Sequence, residues 1–511
     1  MKGRGFVQGS ILMIMINLIV RSVDFIYDVI LSKYIGAEGL GLFQMARSVL
    51  MIFLVISTAG LPTAIARLVA EYRSKNNYAS IRKILIVSIL LALSFAAIFS
   101  LIIFIFAENI AVEAFKNDNL IAPIYFLIPS IILLPLTITL RGYYYGLNAI
   151  MVPSVSQIIE HVGQLLIVFG MLYMAYPMEP KLGATIAIWG IAIGEVLDLI
   201  WLTVMLRKSN KGPYNPILRK ESGLNILKKI FSISAPIAVG DIVSVILGFA
   251  NSIFIPRRLM AIGYTNSEAV STLGRISGMA MPLISLPFIV TGAIAINLVP
   301  NLSENMALKR YSMVKHNIKF AIKMTLLVAI PVTGLFLFYS QPLGYFIYED
   351  IHVGQFIKFM AYGTVFFALE HTFSGILNGL NKQVAATKNR LIGLTLQVFC
   401  IYSLVGHPKF GINGYFIGFF LSRWVIFLLD RISIKRRVKL KLDYGDLILK
   451  PIMATAIMLV VIYICKTVLV GIGFQGLIGL LISIVAGGLA YILVLFATGA
   501  IPRKLLERLL G

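Results

Sequence analysis

The feature that most limits how this chain can fold is a repeated apolar run. Stretches of about 20 mostly apolar residues recur between short polar segments, which matches the length of helix that crosses a bilayer. Of the 511 residues, 59% are hydrophobic, and the mean hydropathy is +0.91. The pattern predicts an all-α polytopic membrane protein. Runs of this length do not fit a β-barrel, whose spanning strands are about half as long.

Fourteen spans can be distinguished in this way, and the charges between them give an orientation. Thirty-one basic residues fall in the segments on one side and only 7 in those on the other, so the positive-inside rule places both termini in the cytoplasm. The net charge of +23 then reflects loops beside anionic lipid rather than binding of nucleic acid. The predicted spans are 6–31, 41–66, 84–106, 121–146, 153–176, 183–206, 230–255, 273–299, 320–340, 355–380, 389–406, 411–430, 447–470 and 474–499.

An internal repeat divides the chain into similar halves. The pattern GxxxGLN occurs at Gly142 and again at Gly375, an offset of 233 residues, and a Leu-Val pair recurs at 68–69 and 298–299. The offset equals six spans, so both halves have the same orientation and are related by an axis along the membrane normal. We therefore predict four parts, which are an N-terminal six-helix lobe (1–206), a cytoplasmic linker (207–229), a C-terminal six-helix lobe (230–441), and two further helices with a cytoplasmic tail (442–511).

Several charged residues lie inside the first two spans. Arg21, Asp24 and Asp28 are spaced to share one helix face, and Arg47 lies about two turns into the second span. An arginine at the bilayer centre costs roughly 2.5 to 3.5 kcal/mol on insertion scales. This face should therefore line a wet cavity or meet a partner of opposite charge.

A known family shows the same residues in this region. The segment Gly36-Ala37-Glu38-Gly39-Leu40-Gly41-Leu42-Phe43, followed by Ala59-Gly60-Leu61-Pro62-Thr63-Ala64 and Ala70-Glu71-Tyr72, resembles the signature of polysaccharide-export proteins. These belong to the multidrug/oligosaccharidyl-lipid/polysaccharide (MOP) superfamily. The plan of six, six and two spans extends the resemblance over the chain. Within the superfamily the chain is most similar to the group of stage V sporulation protein B and the lipid II flippases.

The resemblance implies a fold and a site. It implies two six-helix lobes that form a V around a central cavity, which opens alternately to each side. The cationic residues of spans one, two and eight that hold the substrate in lipid II flippases would be Arg21, Arg47 and Arg275, with Asp24 and Asp28 beside them. Spans thirteen and fourteen would help to form a groove for the isoprenoid tail.

The chemistry of these residues fits an anionic head group. A guanidinium group can give a two-pronged hydrogen bond to a phosphate, so several together suit a diphosphate. Counting residues from the span ends places all three arginines in the outer half of the membrane. The alternative is internal pairing with Asp24, Asp28 or Glu38. Three further arginines are gate candidates, namely Arg257, Arg258 and Arg423.

Other buried charges could couple transport to an ion gradient. Asp241 in span seven is the first candidate for binding Na⁺ or H⁺, and Glu195 with Asp198 in span six is the second. Each has a structural alternative, a salt bridge or hydrogen bond within its lobe. Glu160-His161 and Glu370-His371 could relay protons, although contacts between helices explain them more simply.

No catalytic motif is present. There is no GxxxxGK[ST] loop, the five histidines are scattered, and Cys400 and Cys465 lack metal-ligand spacing, so no cofactor and no disulfide is expected. An intramembrane enzyme acting on lipid-linked sugars is a weak rival, because acidic loop clusters that would hold a metal are missing. We expect a transporter rather than an enzyme.

The leading interpretation is a monomeric flippase of the bacterial cytoplasmic membrane. Its substrate would be a lipid-linked oligosaccharide, of the undecaprenyl-diphosphate type used in peptidoglycan and cell-wall synthesis, and its surroundings membrane lipids. The resemblance also suggests a use in sporulation. Two alternatives remain open. One is a cation-coupled multidrug exporter of the same superfamily, and the other is a membrane scaffold that recruits cell-wall synthesis enzymes without transporting anything.

Overall fold

The structure of the protein is a computed structural model that describes residues 2–208, 221–438, 440, 443, 445–474 and 476–500. Within these residues every regular element is a helix, as predicted. Most of the linker and the end of the C-terminal tail lie outside the described residues. The predicted lobe boundaries therefore stay predictions.

The helices form two compact units. The N-terminal unit comprises Met1–Gly278 and Ile401–Ile412. Its helices are α1 (Lys2–Thr58), α2 (Leu61–Ser74), α3 (Tyr78–Asn109), α4 (Ile121–Tyr125), α5 (Ile128–Gly146), α6 (Met151–Ala175), α7 (Pro180–Lys208), α8 (Gly223–Met260) and α9 (Asn266–Gly274). Short π-helical turns at Ile110–Ala114 and Ile401–Val405 and a 3-10 turn at Asp118–Leu120 complete its regular structure.

The C-terminal unit comprises Met279–Cys400 and Asn413–Gly511. Its helices are α10 (Met281–Ile284), α11 (Pro287–Ala307), α12 (Tyr311–Tyr348), α13 (Ile351–Gly379), α14 (Gln383–Cys400), α15 (Asn413–Lys435), α16 (Lys450–Gly471) and α17 (Leu477–Ala497). A π-helical turn at Gly445–Leu449 leads into α16, and another at Arg275–Ala280 leads from α9 toward α10.

Helix α1 contains predicted span one and most of span two, and it turns sharply at Gly36. The backbone of Gly36 has φ 64° and ψ −175°, a conformation open almost only to glycine. Arg47, beyond the turn, lies within electrostatic reach of Asp28 before it. A straight helix would hold these two residues roughly 28 Å apart. The two arms of α1 therefore fold back beside each other, although the segment between the spans is helical rather than a loop.

The other predicted spans fall on helices, and three of them are broken. Span four is split into α4 and α5, which meet at a 42° bend. Span eight runs through the π-helical turn at Arg275 and α10 to α11, and span eleven ends in the turn at Ile401–Val405. Among the described residues, 8 helices are long and apolar enough to cross a membrane, or up to 9 if the bent pair counts as one span. The total of fourteen stays a prediction.

Large apolar side chains cover much of the outside of the helices. Tyr463 of α16 is 67% exposed, Leu493 of α17 is 68% exposed, and Phe104 of α3 is 65% exposed. Patches of this kind are rare on soluble monomers and are expected where side chains meet lipid. The length of the helices and this apolar surface together describe a multi-pass membrane protein.

The sequence repeat corresponds to a repeated packing contact. In the N-terminal unit, a Cβ atom on Gly146 of α5 would lie 2.6 Å from Cβ of Val69 in α2. In the C-terminal unit, a Cβ atom on Gly379 of α13 would lie 3.1 Å from the carbonyl oxygen of Val299 in α11. These are the second glycines of the two GxxxGLN patterns and the valines of the two Leu-Val pairs. Each unit therefore uses the same glycine to bring the same pair of helices together.

Candidate functional site

The two arginines of α1 are both exposed. Neither Arg21 nor Arg47 forms a salt bridge or side-chain hydrogen bond with a described residue. The carboxylate of Glu38, one of the partners considered from sequence, accepts a hydrogen bond from the Ser267 hydroxyl at 2.6 Å. Neither guanidinium group is held in a salt bridge among the described residues, although Arg47 lies within electrostatic reach of Asp28.

The acidic residues on the same arm of α1 are placed differently from each other. Asp24 pairs with His161 of α6, with Oδ1 and Nδ1 2.7 Å apart. Asp28 is partly buried and lies within electrostatic reach of both Asp24 and Arg47. The structure therefore brings Asp24, Asp28 and Arg47 into one neighbourhood on the two arms of α1. Arg21 belongs to it through its spacing from Asp24 along the helix.

Arg275 is positioned by an unusually close contact between α1 and α9. A Cβ atom on Gly274 would lie 1.9 Å from the carbonyl oxygen of Ala37, and one on Gly41 would lie 2.1 Å from that of Val270. Only glycine allows the two backbones to approach this closely. Arg275 follows directly, at the start of a π-helical turn, a feature that often occurs at functional sites. The contact joins Arg275 to the start of the arm that carries Arg47.

Arg141 is the centre of a buried ion cluster in the N-terminal unit. The sequence counted it among the basic residues of the cytoplasmic side, and that assignment stays a prediction. It lies within α5 and forms ion pairs with Glu160 of α6 and, at 2.6 Å, with Asp198 of α7. Glu195, one turn before Asp198, accepts a hydrogen bond from the Thr137 hydroxyl at 2.6 Å. Its partners are remote in sequence, so local pattern could not reveal the burial of Arg141.

The coupling candidates accordingly differ in their surroundings. Glu195 and Asp198 are 2% and 0% exposed and already have protein partners. These contacts fit the structural alternative, a salt bridge or hydrogen bond between neighbouring helices. Asp241 is exposed on α8 and makes no ion pair with a described residue. No group of three or more metal-ligating side chains occurs in the part of the chain that the structure describes.

The three gate candidates are all held by neighbours within their own units. Arg257 donates to the backbone carbonyl of Glu113, and the guanidinium of Arg258 lies 3.6 Å from the centre of the Tyr402 ring. Arg423 of α15 forms an ion pair with Glu370 of α13, with Nη1 and Oε2 2.8 Å apart. Each contact fixes one helix against another segment.

A large apolar cavity lies in the C-terminal unit, between α12, α13, α15 and α16. Its volume is about 850 Å³, and its walls include Leu326, Phe366 and Phe427. Two cations, Arg431 and Lys435 at the end of α15, are part of the lining. The resemblance suggested a tail groove on spans thirteen and fourteen. Span thirteen does line this cavity, but no described residue of α17 does, and three helices of the C-terminal unit supply the other walls.

Some features could not have been found from sequence. The pair of Asp24 with His161 joins two spans far apart in the chain, and no local pattern marks it. The cavity likewise depends on how four helices pack. The Gly274 contact did have a signal, since glycines recur at 36, 39, 41, 274 and 278 in an otherwise apolar region.

Comparison with known families identifies the chain's relatives. The model of the polysaccharide biosynthesis protein family matches residues 6–306, and the MatE family model matches residues 236–402. The first match covers more than half of the chain.

Curated relatives agree with these matches. The chain is 26% identical over 412 residues to stage V sporulation protein B of Bacillus subtilis, which covers 80% of this chain and 79% of that protein. It is 23% identical over 421 residues to the lipid II flippase MurJ of the same organism, covering 76% of each.

Solved structures show the same fold. A MATE family multidrug transporter of the MOP superfamily in an inward-facing conformation gives a TM-score of 0.67 at 14% identity, covering 84% of this chain and 98% of that one. Lipid II flippase MurJ in an inward closed conformation gives a TM-score of 0.64 at 17% identity, covering 95% of this chain and 98% of that one. The relatives are transporters and flippases rather than enzymes. The chain belongs to the polysaccharide biosynthesis protein family, in the polysaccharide-export branch of the MOP superfamily, and is a membrane exporter or flippase of that superfamily.

Proposed function

We propose that this protein flips an undecaprenyl-diphosphate-linked oligosaccharide, such as the peptidoglycan precursor lipid II, across the bacterial cytoplasmic membrane. The observation that carries the proposal is the pair Arg21 and Arg47, which are exposed on α1 and form no salt bridge with a carboxylate among the described residues. Charged side chains within membrane-spanning helices are expensive and are usually kept for function. An anionic head group would supply the charge that the helices do not.

The type of cation favours a diphosphate. A guanidinium group binds phosphate oxygens through two parallel hydrogen bonds, and Arg21, Arg47 and Arg275 could engage both phosphates together. Asp24 and Asp28 lower the net positive charge around them. This limits how tightly the head group is held, which an exporter needs if it is to release its cargo.

The apolar cavity supports a lipid substrate. Sites of roughly 300 to 1,000 Å³ lined mainly by apolar side chains are typical of ligand pockets, and the cavity of about 850 Å³ falls within that range. A segment of the isoprenoid tail would fit its apolar walls. The cations Arg431 and Lys435 would face polar groups at one end.

The transport cycle would be alternating access by two six-helix lobes, 1–206 and 230–441, joined by the linker 207–229 and followed by two helices in 442–511. Fourteen spans with both termini in the cytoplasm would give this arrangement. The repeated glycine contact and the similarity to MATE and MurJ structures support it. We propose that the protein works as a monomer.

The membrane potential would supply a direction. Moving one charge across 100 mV is worth roughly 2.3 kcal/mol, so a doubly charged diphosphate leaving a negative interior gains about twice that. Na⁺ or H⁺ could contribute through Asp241, which is exposed and unpaired among described residues. Flipping that is unchanged at zero potential and without ion gradients would contradict this part of the proposal.

Complementation tests the proposed function in cells. A bacterial strain lacking its lipid II flippase should grow with the wild-type chain but not with Arg21→Ala or Arg47→Ala. Arg82→Ala is the matched control, because Arg82 is an exposed arginine of α3 away from the site. Protein in the membrane fraction must be equal for all variants.

The alternatives give different results in this test. A scaffold that recruits cell-wall synthesis enzymes would restore growth with both arginine variants. A cation-coupled multidrug exporter would fail to restore growth even as the wild type, and would instead raise resistance to cationic amphiphiles.

A further inference from the structure

Asp24 and His161 form a contact between α1 and α6 that the proposed mechanism has not used. Their side chains are 40% and 25% exposed, so neither is sealed among the helices. One turn further along α1, the Tyr27 hydroxyl donates to the backbone carbonyl of Ala187 in α7, 3.4 Å away. Contacts with both α6 and α7 therefore hold this part of α1 in place.

The pair lies beside the proposed diphosphate site. Asp24 is three residues from Arg21, and side chains at this spacing are neighbours on a helix surface, with Cβ atoms about 5 to 6 Å apart. The negative charge of Asp24 therefore weakens the field that Arg21 presents to an anion. A positive charge on His161 would offset Asp24 and restore that field.

The imidazole is the group that can change this balance. Among side chains with ordinary titration behaviour, only histidine changes charge between pH 5 and 8. Asp28, one turn beyond Asp24 on α1, lies within electrostatic reach of Asp24 and is one of the charged groups around the pair. Those that face His161 from its own and neighbouring helices are Asp24, Glu160 and Arg141, while Glu195 and Asp198 of α7 are held by Thr137 and Arg141.

We propose that His161 is a positioning residue for head-group binding, whose proton keeps Asp24 from neutralising Arg21. This rests on the proposed function, since it concerns the same diphosphate site. Binding of the head group and binding of a proton to His161 then favour each other, because linkage between two ligands is reciprocal.

The expected size of the effect follows from Coulomb's law. At an effective dielectric constant near 20, a unit charge several ångströms away changes binding on the order of tenfold, with part of that lost to screening. The affinity for a diphosphate should therefore fall about tenfold between pH 5.5 and pH 8.

The experiment measures binding to the full-length protein in detergent. The probe is a short-chain prenyl-diphosphate N-acetylglucosamine, because both of its phosphates are esterified and their charge stays constant from pH 5.5 to 8. We expect the wild type to lose affinity as pH rises. His161→Gln should bind weakly at all pH values, and His161→Lys tightly at all of them.

Two further variants complete the design. Asp24→Asn should bind tightly without pH dependence, because the charge that opposes Arg21 is gone. This variant still tests the proposal if His161→Gln folds poorly. His407→Gln is the matched control and should keep the wild-type pH dependence of affinity. His407 lies in the segment after the turn at Ile401–Val405 and belongs to neither α1 nor α6.

The outcomes separate the two proposals. If the wild type does not bind the probe at any pH, both are overturned. If binding requires Arg21 but His161→Gln keeps the wild-type pH slope, the role of His161 is overturned while the proposed function stands.

Discussion

Nη2 of Arg141 lies 2.6 Å from Oδ2 of Asp198, an ion pair between α5 and α7. The side chain of Asp198 is fully buried, and Glu160 of α6 pairs with the same guanidinium. One arginine therefore joins three helices of the N-terminal unit. Buried ion pairs depend on both partners, since an unpaired buried charge is costly.

Removing Arg141 should destabilise the protein severely. We expect Arg141→Met to lose about 3 to 5 kcal/mol, because Glu160 and Asp198 stay buried without a counter-charge. Thermal unfolding in detergent measures this, with Arg82→Met as the control for loss of an exposed arginine. Adding Glu160→Gln and Asp198→Asn should recover part of the loss. Equal stability of Arg141→Met and wild type would show that the cluster is not formed.

The approach of α1 and α9 makes a second prediction. Gly274→Ala places a methyl group where the carbonyl oxygen of Ala37 already lies, so the helices must separate and Arg275 must shift. We expect reduced thermal stability and a large loss of transport. Gly248→Ala is the matched control, because a Cβ atom there meets open space. If both variants behave like the wild type, the close contact does not exist in the protein.

Much of the fold could be predicted from sequence, because apolar runs of bilayer length directly indicate spanning helices. The sequence could not show that Gly36 turns a continuous helix back on itself, since the segment around it reads as a short polar loop. It could not show the ion pairs of Arg141, because whether a charge is paired inside a protein depends on partners such as Glu160 and Asp198 from other spans. The arginines of the site were recognisable as charges within apolar runs, whereas the contact of Asp24 with His161 required the packing of α1 on α6.

A charge cluster at the end of the linker makes stability depend on pH. The hydroxyl of Tyr72 donates to Glu221, and Lys229 contacts both. The Tyr72 hydrogen bond and Lys229 lower the pKa of Glu221 below its usual value. A lowered pKa stabilises the fold above the unfolded-state pKa of about 4.3, and this contribution is lost as pH falls through the folded-state pKa.

The pH dependence can be measured with Glu221→Gln. Its melting temperature should lie slightly below that of the wild type at pH 7, since partly exposed pairs contribute about 0.2 to 1 kcal/mol. The difference should shrink as the pH falls from about 5 toward 3, where the wild-type carboxylate is protonated as well. A difference that stays constant over this range would mean that ionised Glu221 does not stabilise the fold.

The most direct test of the central claim is a leaflet assay in proteoliposomes. The purified chain is reconstituted with fluorescent lipid II, and arrival of the head group in the opposite leaflet is followed with a membrane-impermeant quencher. We predict that the wild type and Arg82→Ala flip the lipid at equal rates, and that Arg21→Ala combined with Arg47→Ala slows flipping at least tenfold, with about 1.4 kcal/mol lost for each tenfold change. Wild-type flipping by the double variant, reconstituted at the same density, would contradict the account.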